Sequence, residues 1–189
     1  MRSLLLSALL LATPLWAQAA WQLSEDQSSV NYVSTKNNAV GEINTFGKVS
    51  GAIDAQESRV VIDLSSVDTG IDIRNERMQK MLFETEAFGE AVVTVPLGEE
   101  ALSDLAVGEL RRDTTTLSLT LHGETLELPA DMQVVRLDES TLLIHSVSPV
   151  IVSAGDFGLG EGVEALREVA GLSSISSAVP VTFSLVFTQ

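Results

Sequence analysis

Few side chains in this sequence could do acid–base or nucleophilic work. There are two histidines and no cysteine. His122 stands beside Gly123 in a turn, where an imidazole facing water or bonded to backbone is expected. His145 falls inside the run Leu143-Ile144-His145-Ser146, where a half-buried ring with a local partner is expected. The two are far apart, and no carboxylates at matching spacing complete a metal site. The acid pairs Glu99-Glu100 and Asp138-Glu139 read as solvated surface charge. Gly158-Leu159-Gly160-Glu161-Gly162 is glycine-rich, but no Lys-Ser/Thr follows, so it reads as a loop before a helix rather than a phosphate cradle. Neither a nucleophile elbow nor a dinucleotide fingerprint is present. With no nucleophile, base and orienting group in view, the chain is expected to be no enzyme and to carry no cofactor or metal.

The remaining candidates are apolar. Phe46, Met78, Met81, Leu82, Phe83, Phe88, Phe157 and Leu159 gather in or beside segments that do not read as strands. Leu119 and Phe183 join them from two alternating strands. A barrel mouth lined by Phe and the adaptable Met accepts a flexible apolar chain, which makes these ten the candidate ligand-binding residues. Ordinary core and plug packing accounts for the same residues equally well.

The elements that must position them are mostly strands. Val60, Ile62 and Leu64 alternate with polar or smaller neighbours, as do Leu117, Leu119 and Leu121, and Val181, Phe183, Leu185 and Phe187. Period-two alternation marks half-buried antiparallel strands. Similar runs lie at 29–35, 40–44, 48–53, 91–97, 132–137 and 141–152. His122-Gly123 reads as a hairpin turn, and Leu128-Pro129-Ala130-Asp131 and Leu137-Asp138-Glu139-Ser140 as further turns. Helices are expected at 75–83, with Met78, Met81 and Leu82 on one face and Arg77 and Lys80 opposite, and at 162–170. The fold class is all-β: an eight-stranded antiparallel barrel with one or two short helices, closed so that it exposes no sheet edge.

The N-terminus reads as a cleavable export signal over residues 1–19. Arg2 is followed by an apolar stretch at 4–11, then Pro14 and the small-x-small site Ala17-Gln18-Ala19. Residues 20–189 then form one domain, placed in the periplasm. No disulfide can support it, so packing must. The net charge of −15 repels nucleic acid and anionic lipid surfaces, so neither nucleic-acid binding nor stable membrane insertion is expected. A transmembrane barrel would alternate similarly, but 5% aromatic content is too low for two interfacial girdles.

Five stretches, in order, resemble the YceI-like polyisoprenoid-binding family of lipocalin-like barrels. They are Glu42–Asp54, Ile62–Gly70, Arg74–Phe83, Leu117–Thr125 and Asp156–Leu159. The resemblance covers essentially everything after residue 20. It implies a periplasmic binding protein for a long polyisoprenoid or isoprenoid-quinone-type lipid held in the barrel for transport, storage or sequestration. A homodimer stays open. The alternative is a non-catalytic stress-accessory or interaction module with a packed core. The chain departs from the family pattern at Asn75 and Arg77, where Asp and His are usual. It departs again at Gly89, where Pro is usual, and at Ser153-Ala154, where Asn-Arg is usual. These departures bear on recognition of the lipid head group.

Overall fold

The structure, a computed structural model, describes residues 21–189; the expected export segment at residues 1–19 lies outside the described residues. The strand segments are β1 (Trp21–Leu23), β2 (Ser29–Lys36), β3 (Val40–Phe46), β4 (Val49–Ile53), β5 (Ser58–Asp63), β6 (Val67–Asp68) and β7 (Glu90–Val95), followed by β8 (Leu110–Leu121), β9 (Glu124–Asp138), β10 (Thr141–Ser146), β11 (Val150–Ser153) and β12 (Ala178–Thr188).

Pairing condenses these segments into eight staves. β1 and β2 are halves of one stave, interrupted by a tight turn at Glu25–Gln27, and both pair with β12. β3 and β4 are likewise halves, pairing with β2 and β1 in turn. β5 and β6 are separated by a second tight turn at Leu64–Ser66 and pair with β4 and β3. β10 and β11 share the other edge of β12. Each stave runs antiparallel to the next in sequence, and the last closes on the first. The result is the expected eight-stranded antiparallel barrel, built up and down with no strand crossing over.

Local chemistry explains the course of the chain. Leu117, Leu119 and Leu121 of β8 are buried while Ser118 and Thr120 are not, so the alternation fixes which face turns inward. His122 and Gly123 both take positive φ, 53° and 84°, the twist that a two-residue hairpin between right-twisted strands needs. The turn expected at Leu128-Pro129-Ala130-Asp131 does not form. Those residues continue β9, whose pairing with β10 stops at Met132, so Pro129 sits where one flank of the strand has no ladder neighbour to lose.

Three short α-helices complete the described residues: α1 (Asp72–Arg77), α2 (Glu99–Leu102) and α3 (Gly160–Val169). α1 and α3 are the two helices expected, with earlier starts; α2 was not foreseen. α1 runs directly into a π-helical turn over Met78–Leu82, closed by Phe83 N–H donating to Met78 O at 2.9 Å. The connections carrying α1 and α3 both leave the same end of the barrel, and α3 packs on the π turn there. Gly162 makes the approach possible, because a Cβ at that position would lie 2.5 Å from Met81 O. We call this end the cap. The opposite end, the floor, carries Trp21, Gln189, the β4–β5 and β9–β10 turns and α2.

Candidate ligand cavity

The barrel is hollow. A cavity of about 530 Å³ runs from Ser58 and Leu97, toward the floor, to Arg74 and Arg77 under the cap. That volume falls within the roughly 300–1,000 Å³ of small-molecule sites. Its wall is almost wholly aliphatic and aromatic, supplied by inward-facing residues of the staves and by the inner sides of the two cap helices.

Seven of the ten candidate residues line it: Phe46, Met78, Leu82, Phe83, Leu119, Leu159 and Phe183. Three of the aromatic rings form a run at the cap end. Tyr32 and Phe46 have centroids 5.4 Å apart, and Phe46 and Phe83 6.1 Å. The other three candidates are placed elsewhere. Phe157 is fully buried in the packed core, and Phe88 lies against the His122 ring with centroids 4.2 Å apart. Met81 falls outside the lining because the π turn adds a residue to the helical repeat, so the 3.6-residue spacing that groups it with Met78 no longer applies. The same region corrects a second expectation. Arg77 does not point away from the apolar face; it lines the cavity.

Sequence reasoning missed the polar members of the wall. Tyr32 is buried, and among the described residues its hydroxyl reaches only the Met78 Sδ, at 3.5 Å. Burial pushes its phenol pKa far above the usual range, so the group is a neutral donor. Lys36 pairs with Glu42, and Arg74 Nη1 reaches the same Glu42 oxygen at 2.6 Å. The Lys36 hydrogen bond, helped by the nearby Arg74 charge, holds the Glu42 carboxyl below its ordinary range. Arg74 Nη2 also donates to Thr69 O at 2.5 Å, while its Nε is buried without an acceptor among the described residues. Lys36 and Arg74 fall in alternating or amphipathic segments, and nothing in their spacing alone marks them as cavity residues.

Of the positions departing from the family pattern, Asn75 is local scaffolding: its Oδ1 accepts from Thr69 N–H at 2.9 Å and from the Thr69 hydroxyl at 2.6 Å. Ala154 is buried and lines the cavity. Gly89 O accepts from Leu64 N–H at 2.9 Å. The histidines take structural roles. His145 Nε2 lies 2.9 Å from Gln133 Oε1, and His122 Nε2 lies 3.1 Å from Glu84 Oε2, tying the β8–β9 hairpin to the cap.

An antiparallel barrel enclosing an apolar cavity beneath a helical cap defines a class of ligand-holding barrels. Residues 21–187 match the model of the YceI-like domain. The chain belongs to the YceI-like family. It is 40% identical to a polyisoprenoid binding domain from Saccharophagus degradans implicated in plant cell wall breakdown, with a TM-score of 0.87 over 89% of this chain and 98% of that one. Burkholderia cenocepacia BcnA shares the fold at 19% identity and a TM-score of 0.68, covering 87% and 98% of the two chains. The Campylobacter jejuni YCEI protein shares it at 13% identity and a TM-score of 0.56, covering 77% and 84%. No curated protein sequence matches the chain.

Proposed function

We propose that this chain is a soluble periplasmic binding protein that holds one long polyisoprenoid or isoprenoid-quinone-type lipid inside its barrel. The observation that carries the reading is the 530 Å³ apolar cavity within a closed barrel. Such space costs packing contacts that a filled core would keep, so it speaks against the alternative of a packed interaction module. The polyisoprenoid binding of the 40%-identical Saccharophagus degradans domain supports the choice of ligand class.

Burial supplies the affinity. Each methylene taken out of water contributes about 0.8 kcal/mol, so a prenyl chain needs few polar contacts to bind well. The export signal read at residues 1–19 supports a periplasmic location, where an apolar lipid moving through water needs a shielded container. The chain does no covalent chemistry on its cargo in this reading.

Expression with the native N-terminus, followed by solvent extraction of the purified protein and mass spectrometry, tests the proposal. A prenyl lipid at near one per protein, together with an N-terminus beginning near Ala20 or Trp21, is expected. Repeated recovery of empty protein that also fails to take up prenyl lipid in titration would refute it.

A further inference from the structure

The chain carries 26 acidic and only 11 basic side chains, yet among the described residues no Asp or Glu lines its cavity. Three cations do: Lys36, Arg74 and Arg77. All three lie at the cap end, Lys36 at the end of β2 and the two arginines one helical turn apart on α1. Their surroundings are unequal. Lys36 and Arg74 share the single carboxylate of Glu42, which leaves that cluster one positive charge in excess. The half-buried Arg77 has no hydrogen bond or ion pair among the described residues, and Arg74 keeps its buried Nε without an acceptor. Asp72 and Glu76, on the same helix, are exposed and stand outside the cavity wall.

A cation partly withdrawn from water is costly unless an anion or acceptor meets it. In a strongly acidic protein, placing only cations on the wall of an otherwise apolar cavity is a marked charge asymmetry. A guanidinium is also the side chain whose planar fork matches phosphate oxygens in pairs. We propose that Arg77, with Arg74 beside it, binds an anionic phosphate head group on the lipid whose prenyl tail fills the barrel. This inference rests on the lipid-holding role argued above and narrows it, favouring a phosphorylated polyprenyl chain over a polyprenol or a neutral quinone. Lys36 contributes through the shared Glu42 and the field at the mouth. The tail supplies most of the affinity, and the arginines supply the choice of head group and its orientation toward the cap.

The test compares a polyprenyl monophosphate with the polyprenol of the same length, each titrated into delipidated protein, with inorganic phosphate as a third arm. The wild type is expected to prefer the phosphate form by tenfold or more, and the preference should shrink as salt rises. Inorganic phosphate should bind far more weakly than either lipid. Arg77→Gln is expected to lower the phosphate-to-alcohol ratio toward one, and Arg77→Lys to retain much of it. Because the ratio is read within each variant, a folding defect that weakens both lipids does not mimic the effect. Equal binding of the two lipids by the wild type, or an unchanged ratio in Arg77→Gln, overturns the head-group assignment and leaves the lipid-holding role standing. Binding of neither lipid, nor of an isoprenoid quinone titrated alongside them, overturns both.

Discussion

The floor and the cap close the same barrel in opposite ways. At the floor, Trp21 is buried, and Ile53, Val134 and Leu142 are fully so, with Leu102 and Leu105 from the α2 region packed among the core. The Arg136 guanidinium lies 5.8 Å from the Trp21 ring centroid, and its Nη1 donates to Leu105 O at 3.3 Å, drawing β1 and the α2 region together. At the cap, Ile71, Ile73 and Val169 line the cavity mouth while remaining about half exposed. Beneath that rim Phe157 and Leu64 are buried, and polar ties add to their packing. Asn37 Oδ1 accepts from both the N–H and the hydroxyl of Ser173 at 2.9 Å, and His122 reaches Glu84. Dry packing resists opening, whereas hydrogen bonds near water exchange readily with solvent. The floor is therefore closed by dry packing to its rim, whereas the cap sets a solvent-facing, hydrogen-bonded rim over the buried Phe157 and Leu64.

The largest expected effect lies at the floor. Leu142→Ala removes a side chain with no exposure and no contact with the cavity, and should cost about 2–5 kcal/mol in chemical denaturation. Leu119→Ala, whose side chain already faces empty space, has fewer neighbours to lose and is expected to cost less than half as much. Equal costs would break the contrast between a solid floor and a hollow upper barrel.

A smaller effect should appear at the cap. A Cβ on Gly162 would meet Met81 O at 2.5 Å and Leu82 Cα at 2.9 Å, so Gly162→Ala must push α3 from the π turn. Overpacking of this kind costs about 1–3 kcal/mol. Amide exchange should accelerate over residues 69–89 and 154–177 while the floor strands stay protected. Uniform acceleration across the barrel would show that cap and floor open as one unit.

The smallest effect is electrostatic. Glu42 is held below its ordinary carboxyl pKa by Lys36 and Arg74, so its contribution is present above the unfolded value near 4.5 and is lost as pH falls through the lower folded value. Glu42 is about one-third exposed, and solvent screening keeps the contribution modest. Glu42→Gln should lower stability modestly at neutral pH and flatten the acid limb, the two proteins converging as pH falls through the folded value. An unaltered acid limb would show that the Lys36–Glu42–Arg74 cluster does not tie the β2–β3 hairpin to α1.

The barrel was legible because alternation is a local signal that burial enforces residue by residue, as in Leu117, Leu119 and Leu121. The eightfold count emerged although several staves are broken, since each half keeps its own alternation. Pro129 was misread as a turn because its fit depends on where β10 stops pairing, which is not a local property. Met81 and Arg77 were assigned to the wrong faces for one reason: a π turn changes the helical repeat, and no residue type announces it. The charge asymmetry of the cavity escaped sequence reading for a related cause. Lys36 and Arg74 become neighbours only when β2, β3 and α1 assemble around Glu42.

The central claim is that the cavity is the seat of an apolar chain. Its most direct test is the binding stoichiometry of a prenyl lipid to wild-type protein and to Leu119→Trp, which places a larger ring in the middle of the cavity wall. The account predicts one lipid per wild-type chain and at least tenfold weaker binding in the variant, with thermal unfolding changed little because the added ring occupies existing space. Undiminished binding by a folded Leu119→Trp protein would contradict it, since the lipid would then have to sit outside the barrel.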